Sequence, residues 1–506
     1  MKKKSFIVLS AIALVFTVGC SDYLDVNHDP TALEEIPDAK VLLPATEMGV
    51  AYNLMGYDFG FGGGMWVEYW TGSYVHAQFR DLCGYLPQEF NMTYLSLLRE
   101  PLTDLKRIKT DTEADENKGY YFVAEALSIF TWQIITDVWG DMPYSEALKG
   151  NEGLLHPKQD KQEDIYTDLL ARVNTLLAID LSESSIDGDF DYIYAGDLEK
   201  WYRFANTLKV KLTLRLSETS GYNNATLLNF IASADLLSAS AKISGNVWDD
   251  AVEGKRHPMR EHEEGGANYL SAAVIAAKNF FDYLNENNDP RLAKLFSGNK
   301  AAFFGDREFQ GDSDGNGTLD KDETYAKPAF VSNMDLMLMS DWEVNFYIAE
   351  VYARASNFVK AKEYYEAGVE ASLAQHGITN KAIIEAGGYA VFTATTTESA
   401  IKQIAMQKWV ANCNYQHIES FLERNRTKYP AVNDIDIAAN RAAAYASFPA
   451  GELTISVTGR ARASAFQNGY PASPTYPETY IFRNNNAPKQ KANVGEKVWW
   501  NKKTGK

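Results

Sequence analysis

The stretch "DWEVNFYIAEVYARASNFVKAKEYYEAGVEASL", residues 341–373, decides the fold. Its apolar residues recur at three and four, the period of a helix with one buried face, and the recurrence breaks near Ser356-Asn357-Phe358. The spacing therefore predicts two helices joined by a tight turn. Across the turn stand Ile348, Ala349 and Tyr352 on one side and Ala361, Tyr365 and Gly368 on the other. Small residues at such points let two helices approach closely, with the larger ones packing between them.

These offsets are those of a tetratricopeptide hairpin, although Asn345 stands where tryptophan is usual and no proline closes the unit. Other helical runs are spread along the chain, not set in tandem. In "GYYFVAEALSIFTWQIITDVWGDMPYSEAL" Val123, Leu127, Phe130, Ile134 and Val138 keep the period until Gly140 and Pro143 end it. "DLEKWYRFANTLKVKLTLRLSE", residues 197–218, is another, and a capping box at Thr395-Thr396-Thr397-Glu398 opens a run through "AIKQIAMQKWVANCNYQHIESFLERNR". Helical segments are thus expected at about 117–148, 162–218, 341–374 and 395–425. From about Phe448 to the end, Pro, Gly, Ser and Asn predict a loop-rich part with short strands. The fold class is mainly α.

The N-terminus reads as processing information. Lys2, Lys3 and Lys4 precede an apolar run from Phe6 to about Val18, which is short for a bilayer span, and Gly19-Cys20 mark an abrupt change to polar sequence. Residues 1–19 are expected to be a lipoprotein signal peptide and Cys20 the acylated residue, despite Thr17 in place of a bulky aliphatic residue. Acyl chains would hold a soluble domain, residues 20–506, at a membrane surface. Removing residues 1–19 with their three lysines takes the formal charge from −18 to −21, which argues against a nucleic-acid partner. Only Cys83 and Cys413 remain besides Cys20, so burial and not a disulfide framework must stabilise the chain. Aromatic residues make up 13%, more than a core of this kind requires, so some are expected on a binding surface.

"DSDGNGTLDKDE", residues 312–323, fits the pattern D-x-[DN]-x-[DN]-G-x5-E. Asp312, Asp314, Asn316, the Thr318 carbonyl, Asp320 and Glu323 offer hard oxygen ligands in the number that suits Ca2+ better than Mg2+. The flanking glycines and Pro328 are poor for paired helices, so a structural calcium clip is expected, not an EF-hand sensor. "HPMREHEEGG" places His257, His262 and Glu263 together, but the spacing matches no ligand motif and reads as a solvated loop. Trp66, Trp70 and Tyr74 recur every four residues, the spacing of one helical face, and could stack on a sugar ring or an apolar side chain. Trp248 lies in a polar, glycine-bearing loop. These four are the candidate ligand contacts. The chain lacks H-E-x-x-H and the phosphate-cradling glycine loop, and Cys83 and Cys413 suit burial better than nucleophilic work.

Several blocks together carry a family resemblance: "YLDVNHDPT", "VWGDMPYSEAL", "DIYTDLLARV", "WYRFANTLKVKLTLR", "NDPRL", "WEVNFYIAEVYARA", "IAMQKWVAN" running into "ESFLERNRTKYP", and the terminal "YIFRNNNAPKQKANVGEKVWWNKK". In this order they resemble the SusD/RagB family of Bacteroidota outer-membrane lipoproteins, in its SusD-like branch. The resemblance implies a SusD-like fold with four tetratricopeptide-like hairpins against a loop-rich half that holds the ligand. It also implies a cell-surface, lipid-anchored binding protein and not an enzyme. Such a protein captures an oligosaccharide, or alternatively an oligopeptide, and delivers it to a TonB-dependent barrel of the SusC/RagA type. A secreted glycoside hydrolase is the remaining alternative.

Overall fold

The computed structural model describes residues 38–263, 269–312 and 325–505. The helices that build the scaffold are α1 (Ala39–Leu54), α2 (Asn91–Arg99), α3 (Pro101–Thr112), α4 (Gly119–Trp139), α5 (Gln162–Leu176), α6 (Leu198–Arg215), α7 (Lys278–Glu286), α8 (Asp341–Arg354), α9 (Phe358–Gln375), α10 (Thr397–Asn412) and α11 (His417–Thr427). The quoted hairpin is α8 and α9. Each is opened by a side-chain cap, Ser340 Oγ accepting from Glu343 N and Asn357 Oδ1 from Lys360 N. The small positions do the work expected of them: Ala349 and Ala361 are buried, and a Cβ on Gly368 would lie 2.7 Å from the Phe346 ring. Tyr365 packs beside Phe346 and donates to Ala390 O, in the loop after α9, at 2.7 Å.

α4 is apolar on nearly every side, and a helix of that kind must be central. It packs against α1, α3, α5 and α6. Gly140, with φ +84°, ends it, and Lys491 Nζ from the C-terminal part donates to the last carbonyl, Trp139 O, at 2.9 Å. The expected helical stretch 162–218 is divided: α5 stops at Leu176 and α6 starts at Leu198, because the Asp/Ser/Gly-rich residues between them form turns with Ala195 and Gly196 at positive φ. The expected capping box is displaced by one residue. Thr396 is the cap and Ser399 its partner, while Glu398 turns outward to Tyr429 Oη and Lys503 Nζ.

Strands are short and paired in twos: β1 (Trp70–Gly72) with β3 (Val274–Ala276), β2 (Ala241–Ile243) with β6 (Leu336–Met339), β4 (Phe296–Ser297) with β5 (Lys327–Pro328), and β7 (Val432–Asn433) with β8 (Leu453–Thr454). All are antiparallel except the last pair. Beyond Phe448 the chain is irregular, as expected, apart from β8 and the two short helices Arg460–Ala463 and Glu478–Arg483. Among the described residues no helix is long and apolar enough to cross a membrane.

Five helices of the scaffold meet at buried charges. Arg215 of α6 donates to Asp137 of α4 and to Glu419 and Glu423 of α11 at 2.7–3.0 Å. Lys211 donates to Glu343 of α8 and to Glu419, both at 2.8 Å. Arg426 bridges Glu350 and Glu423, and Lys408 of α10 lies 3.2 Å from Glu423. Burial alone would raise the Glu419 and Glu350 carboxyls. Arg215 and Lys211 beside the first, and Arg426 and Arg354 beside the second, hold both down to about 2.

Candidate ligand-binding site

The site grows from the sequence "YDFGFGGGMW", residues 57–66. Residues Tyr57–Gly63 form a single widened helical turn with i→i+5 bonding, and Gly64–Trp66 continue it as α-helix. The glycines are there because the backbone touches its neighbours. A Cβ on Gly63 would lie 2.9 Å from Ile418 N, and one on Gly62 would lie 2.5 Å from the Phe90 ring. His417, at the start of α11, fixes the turn. Its Nε2 accepts from Asn414 N at 2.8 Å, so Nδ1 carries the proton and donates to Gly60 O at 2.7 Å. Burial lowers its pKa to about 4, and the ring stays neutral.

The widened turn aims Tyr57 and Phe61 to one side, where three more rings join them. Phe79 stacks on Phe61 at 5.0 Å between centroids, Tyr269 lies edge-on to Phe61 and Phe79, and His262 stacks on Tyr269 at 5.4 Å. Beside Tyr57, Phe61 and Phe79 opens a cavity of about 230 Å3, also lined by Asp58, Gln78, Asp81, Gln88 and Phe90. Gln78, on the exposed rim, donates to Tyr57 Oη at 2.7 Å. Asp58 Oδ2 accepts from Thr93 N at 2.9 Å, in the first turn of α2, which orients the carboxylate on a helix N-terminus. Burial raises its pKa against that bond. Phe90 sits at φ +51°, a conformation costly for a non-glycine residue and frequent at binding sites. Ring faces, one carboxamide donor already oriented, and carboxylates beside them can hold a molecule with apolar C–H faces and hydroxyl or amide edges. A larger hollow of about 490 Å3, lined by Arg460, Phe466, Gln467 and Asn468 among others, offers a single ring.

The residues singled out from sequence fall differently. Trp66, Trp70 and Tyr74 do not share a helical face: Trp66 ends a helix, Trp70 starts β1, and Tyr74 stands in the turn beyond it. The break comes at Glu68, held at φ +56° because its buried carboxyl group takes Thr454 N at 2.7 Å and Asn279 Nδ2 at 2.7 Å, tertiary bonds that override helical continuation. Trp66 and Trp70 are 0% exposed. They underlie the site, Trp66 against Phe90 and Phe421, and Trp70 against Phe61 and His417. Tyr74 is half-buried. Trp248 is also half-buried and lies elsewhere, donating from Nε1 to Met334 O at 2.9 Å with its ring against His257.

The reading of 257–263 as a solvated loop is corrected for His257, which is buried between Trp248 and Phe330. Burial lowers its pKa to about 3. Cys83 and Cys413 are buried, as expected. Asp312 follows the short helix Arg307–Gly311, whereas Asp314, Asn316, Thr318, Asp320, Glu323 and Cys20 lie outside the described residues. Sequence reasoning missed Tyr57, Phe61, Phe79 and Tyr269. Tyr57 and Phe61 carry the same four-residue spacing as Trp66 and Trp70, nine residues earlier.

A SusD-like family described as "Starch-binding associating with outer membrane" matches residues 42–447. No curated protein matches the chain. Among solved structures, the chain is similar to a SusD homologue from Bacteroides uniformis ATCC 8492, with TM-score 0.69 and 19% identity over 91% of this chain and 99% of that one. A chitin-binding SusD homologue from Flavobacterium johnsoniae has TM-score 0.70 and 19% identity over 92% and 99%. A further SusD homologue, from Bacteroides thetaiotaomicron VPI-5482, has TM-score 0.68 and 18% identity over 93% and 100%. At such identities the likeness is one of fold.

Proposed function

The chain belongs to the SusD-like family, whose members are binding proteins and not enzymes, and on that premise we propose that it captures oligosaccharides at the outer surface of an outer membrane and hands them to a TonB-dependent barrel of the SusC type. The observation that carries the reading is the ring-walled cavity at Tyr57, Phe61, Phe79 and Phe90 with Gln78, Asp58 and Asp81 around it. The family description and the chitin-binding neighbour support a glycan. Residues 1–19 with Gly19-Cys20 support export and acylation at Cys20, which keeps the domain at the membrane through its acyl chains. Labelling with palmitate should mark the wild type and not Cys20→Ser.

Calorimetric titration of the mature chain with neutral oligosaccharides, with oligopeptides as the competing arm, tests the function. Tyr57→Ala should weaken oligosaccharide binding by about 1–3 kcal/mol, the range for losing an aromatic contact. Trp70→Ala should instead lower the unfolding midpoint, because Trp70 is core. Binding of peptides only would shift the ligand to the oligopeptide reading, and release of fragments on incubation would favour a hydrolase.

Residues 312–323 are also proposed to hold one Ca2+ through Asp312, Asp314, Asn316, Thr318, Asp320 and Glu323. The support is the ligand pattern, whose hard oxygens at alternating positions suit this ion. Its part is structural, neutralising an acidic loop.

A further inference from the structure

We infer that Arg307 and Gln310 are positioning residues for the ring-walled cavity, holding the turn at residues 72–76 from which Gln78 and Phe79 reach it. The inference rests on that cavity being the ligand site. After β1 ends at Gly72 the chain makes an outward excursion: Val75 is 63% exposed, and Ala77 and Gln78 are exposed as well. The backbone of the excursion secures itself by few bonds, Ser73 N to Ala273 O at 2.8 Å and His76 N to Ser73 O at 3.3 Å. An exposed turn with so few ties would lose much of the order that a preformed site needs.

Two side chains from one short helix, Arg307–Gly311, supply what is missing. The Arg307 guanidinium donates from Nη1 to Ser73 O at 2.9 Å and His76 O at 3.0 Å, and from Nη2 to Tyr74 O. Gln310 uses both ends of its amide. Its Oε1 accepts from Tyr74 N at 2.6 Å and its Nε2 donates to Gly72 O at 3.1 Å. Peptide groups at 72, 73, 74 and 76 are thus held on the donor and the acceptor side by a fork and an amide, groups whose planar geometry fixes direction. The helix is itself anchored on the protein: Gly305 N donates to Thr71 Oγ1 at 2.9 Å, and Asp306 pairs with Arg441 at 3.0 Å. Gln310 is buried. Two residues past His76, Gln78 donates to Tyr57 Oη, and Phe79 stacks on Phe61. A clamp on the turn therefore fixes one rim group and one wall of the cavity without touching the ligand.

The test uses the mature chain, with maltohexaose and chitohexaose as probes. Arg307→Met should raise Kd about tenfold with a more unfavourable binding entropy, and Arg307→Lys, a point donor that cannot span three carbonyls, should fall between it and the wild type. The unfolding midpoint should stay nearly constant, since the turn is exposed; a purely structural residue would do the reverse. Tyr57→Ala separates the two readings. Should it leave affinity unchanged, the cavity is not the site; should it weaken binding while Arg307→Met does not, the positioning inference alone fails. A ligand-free measurement stands beside these. Hydrogen exchange at the Tyr74 and His76 amides should speed up in Arg307→Met and in Gln310→Leu, and unchanged protection in both would overturn the inference.

Discussion

The scaffold and the ring-walled cavity are built on opposite principles. Where α4, α6, α8, α10 and α11 meet, five carboxylates (Asp137, Glu343, Glu350, Glu419 and Glu423) face four cations (Lys211, Arg215, Lys408 and Arg426), all buried. Charges out of water are costly, and here every one but Asp137, which has Arg215 alone, is offset by at least two opposite charges. Removing any one strands the others. At the cavity the fixed part is backbone, the glycine turn pressed on α11 and Phe90, and the variable part is a set of side chains on its rim. One region resists substitution because its members depend on one another, whereas the other concentrates its constraint beneath the surface that would meet a ligand.

The contrast breaks most sharply if a cation is taken from the scaffold. Arg426→Met leaves Glu350 and Glu423 short of a partner and should cost about 3–5 kcal/mol in urea unfolding, with oligosaccharide affinity unchanged in the molecules that remain folded. A loss below 1 kcal/mol would mean that the network is not cooperative.

Acid and alkali should act on different regions. Glu350 and Glu419 are held at about 2 in the fold, so their contribution is present above the ordinary carboxyl value of 4.5 and is lost as pH falls from there toward 2. Glu68, between Trp66 and Trp70 in the chain, is pushed the other way, to about 8 by burial against its bonds from Thr454 and Tyr470. Its contribution is full below 4.5 and declines as pH rises from 4.5 to 8, by roughly 3 kcal/mol at neutrality. Glu68→Gln should flatten the alkaline decline of stability and leave the acid limb in place, which unfolding midpoints measured from pH 3 to pH 9 would show.

Gly63→Ala joins the two regions in one experiment. Its Cβ would stand 2.9 Å from Ile418 N and 3.0 Å from the His417 carbonyl carbon, backbone atoms that cannot step aside. A cost of about 1–3 kcal/mol is expected together with weakened ligand binding, because the turn carrying Tyr57 and Phe61 must shift off α11. The smallest effect belongs to the proposed calcium loop. Millimolar calcium should raise stability by about 1 kcal/mol through mass action, and Asp312→Ala with Glu323→Ala should abolish that gain.

The sequence made the scaffold legible because helical periodicity, caps and small residues act locally. The hairpin turn at Ser356-Asn357-Phe358, the end of α4 at Gly140 and the irregular C-terminal part all follow from such signals. The buried charges were not legible. Glu343 and Glu350, Glu419 and Glu423, and Lys211 and Arg215 recur at helical spacing, but a charged stripe on a single helix reads as a solvated face. Only the meeting of helices from distant parts of the chain shows that the stripes neutralise one another. The cavity was half legible. The four-residue spacing of Trp66, Trp70 and Tyr74 points to this part of the chain, but the break in the helix at Glu68 turns Trp66 and Trp70 into the layer below. That break is made by Thr454 and Asn279, residues no local pattern connects to Glu68.

The glycine turn has a consequence for anyone who would re-engineer the protein. Because its position is set by main-chain atoms against α11 and Phe90, the residues that give the cavity its chemistry are free of the burden of holding it in place. A combinatorial library randomised at Gln78, Asp81 and Gln88 should keep most of its members folded and sample many recognition profiles, while one randomised at Gly62, Gly63 and Gly64 should yield almost no soluble protein. The rim is the evolvable part of the molecule, and it is evolvable because the floor beneath it is not.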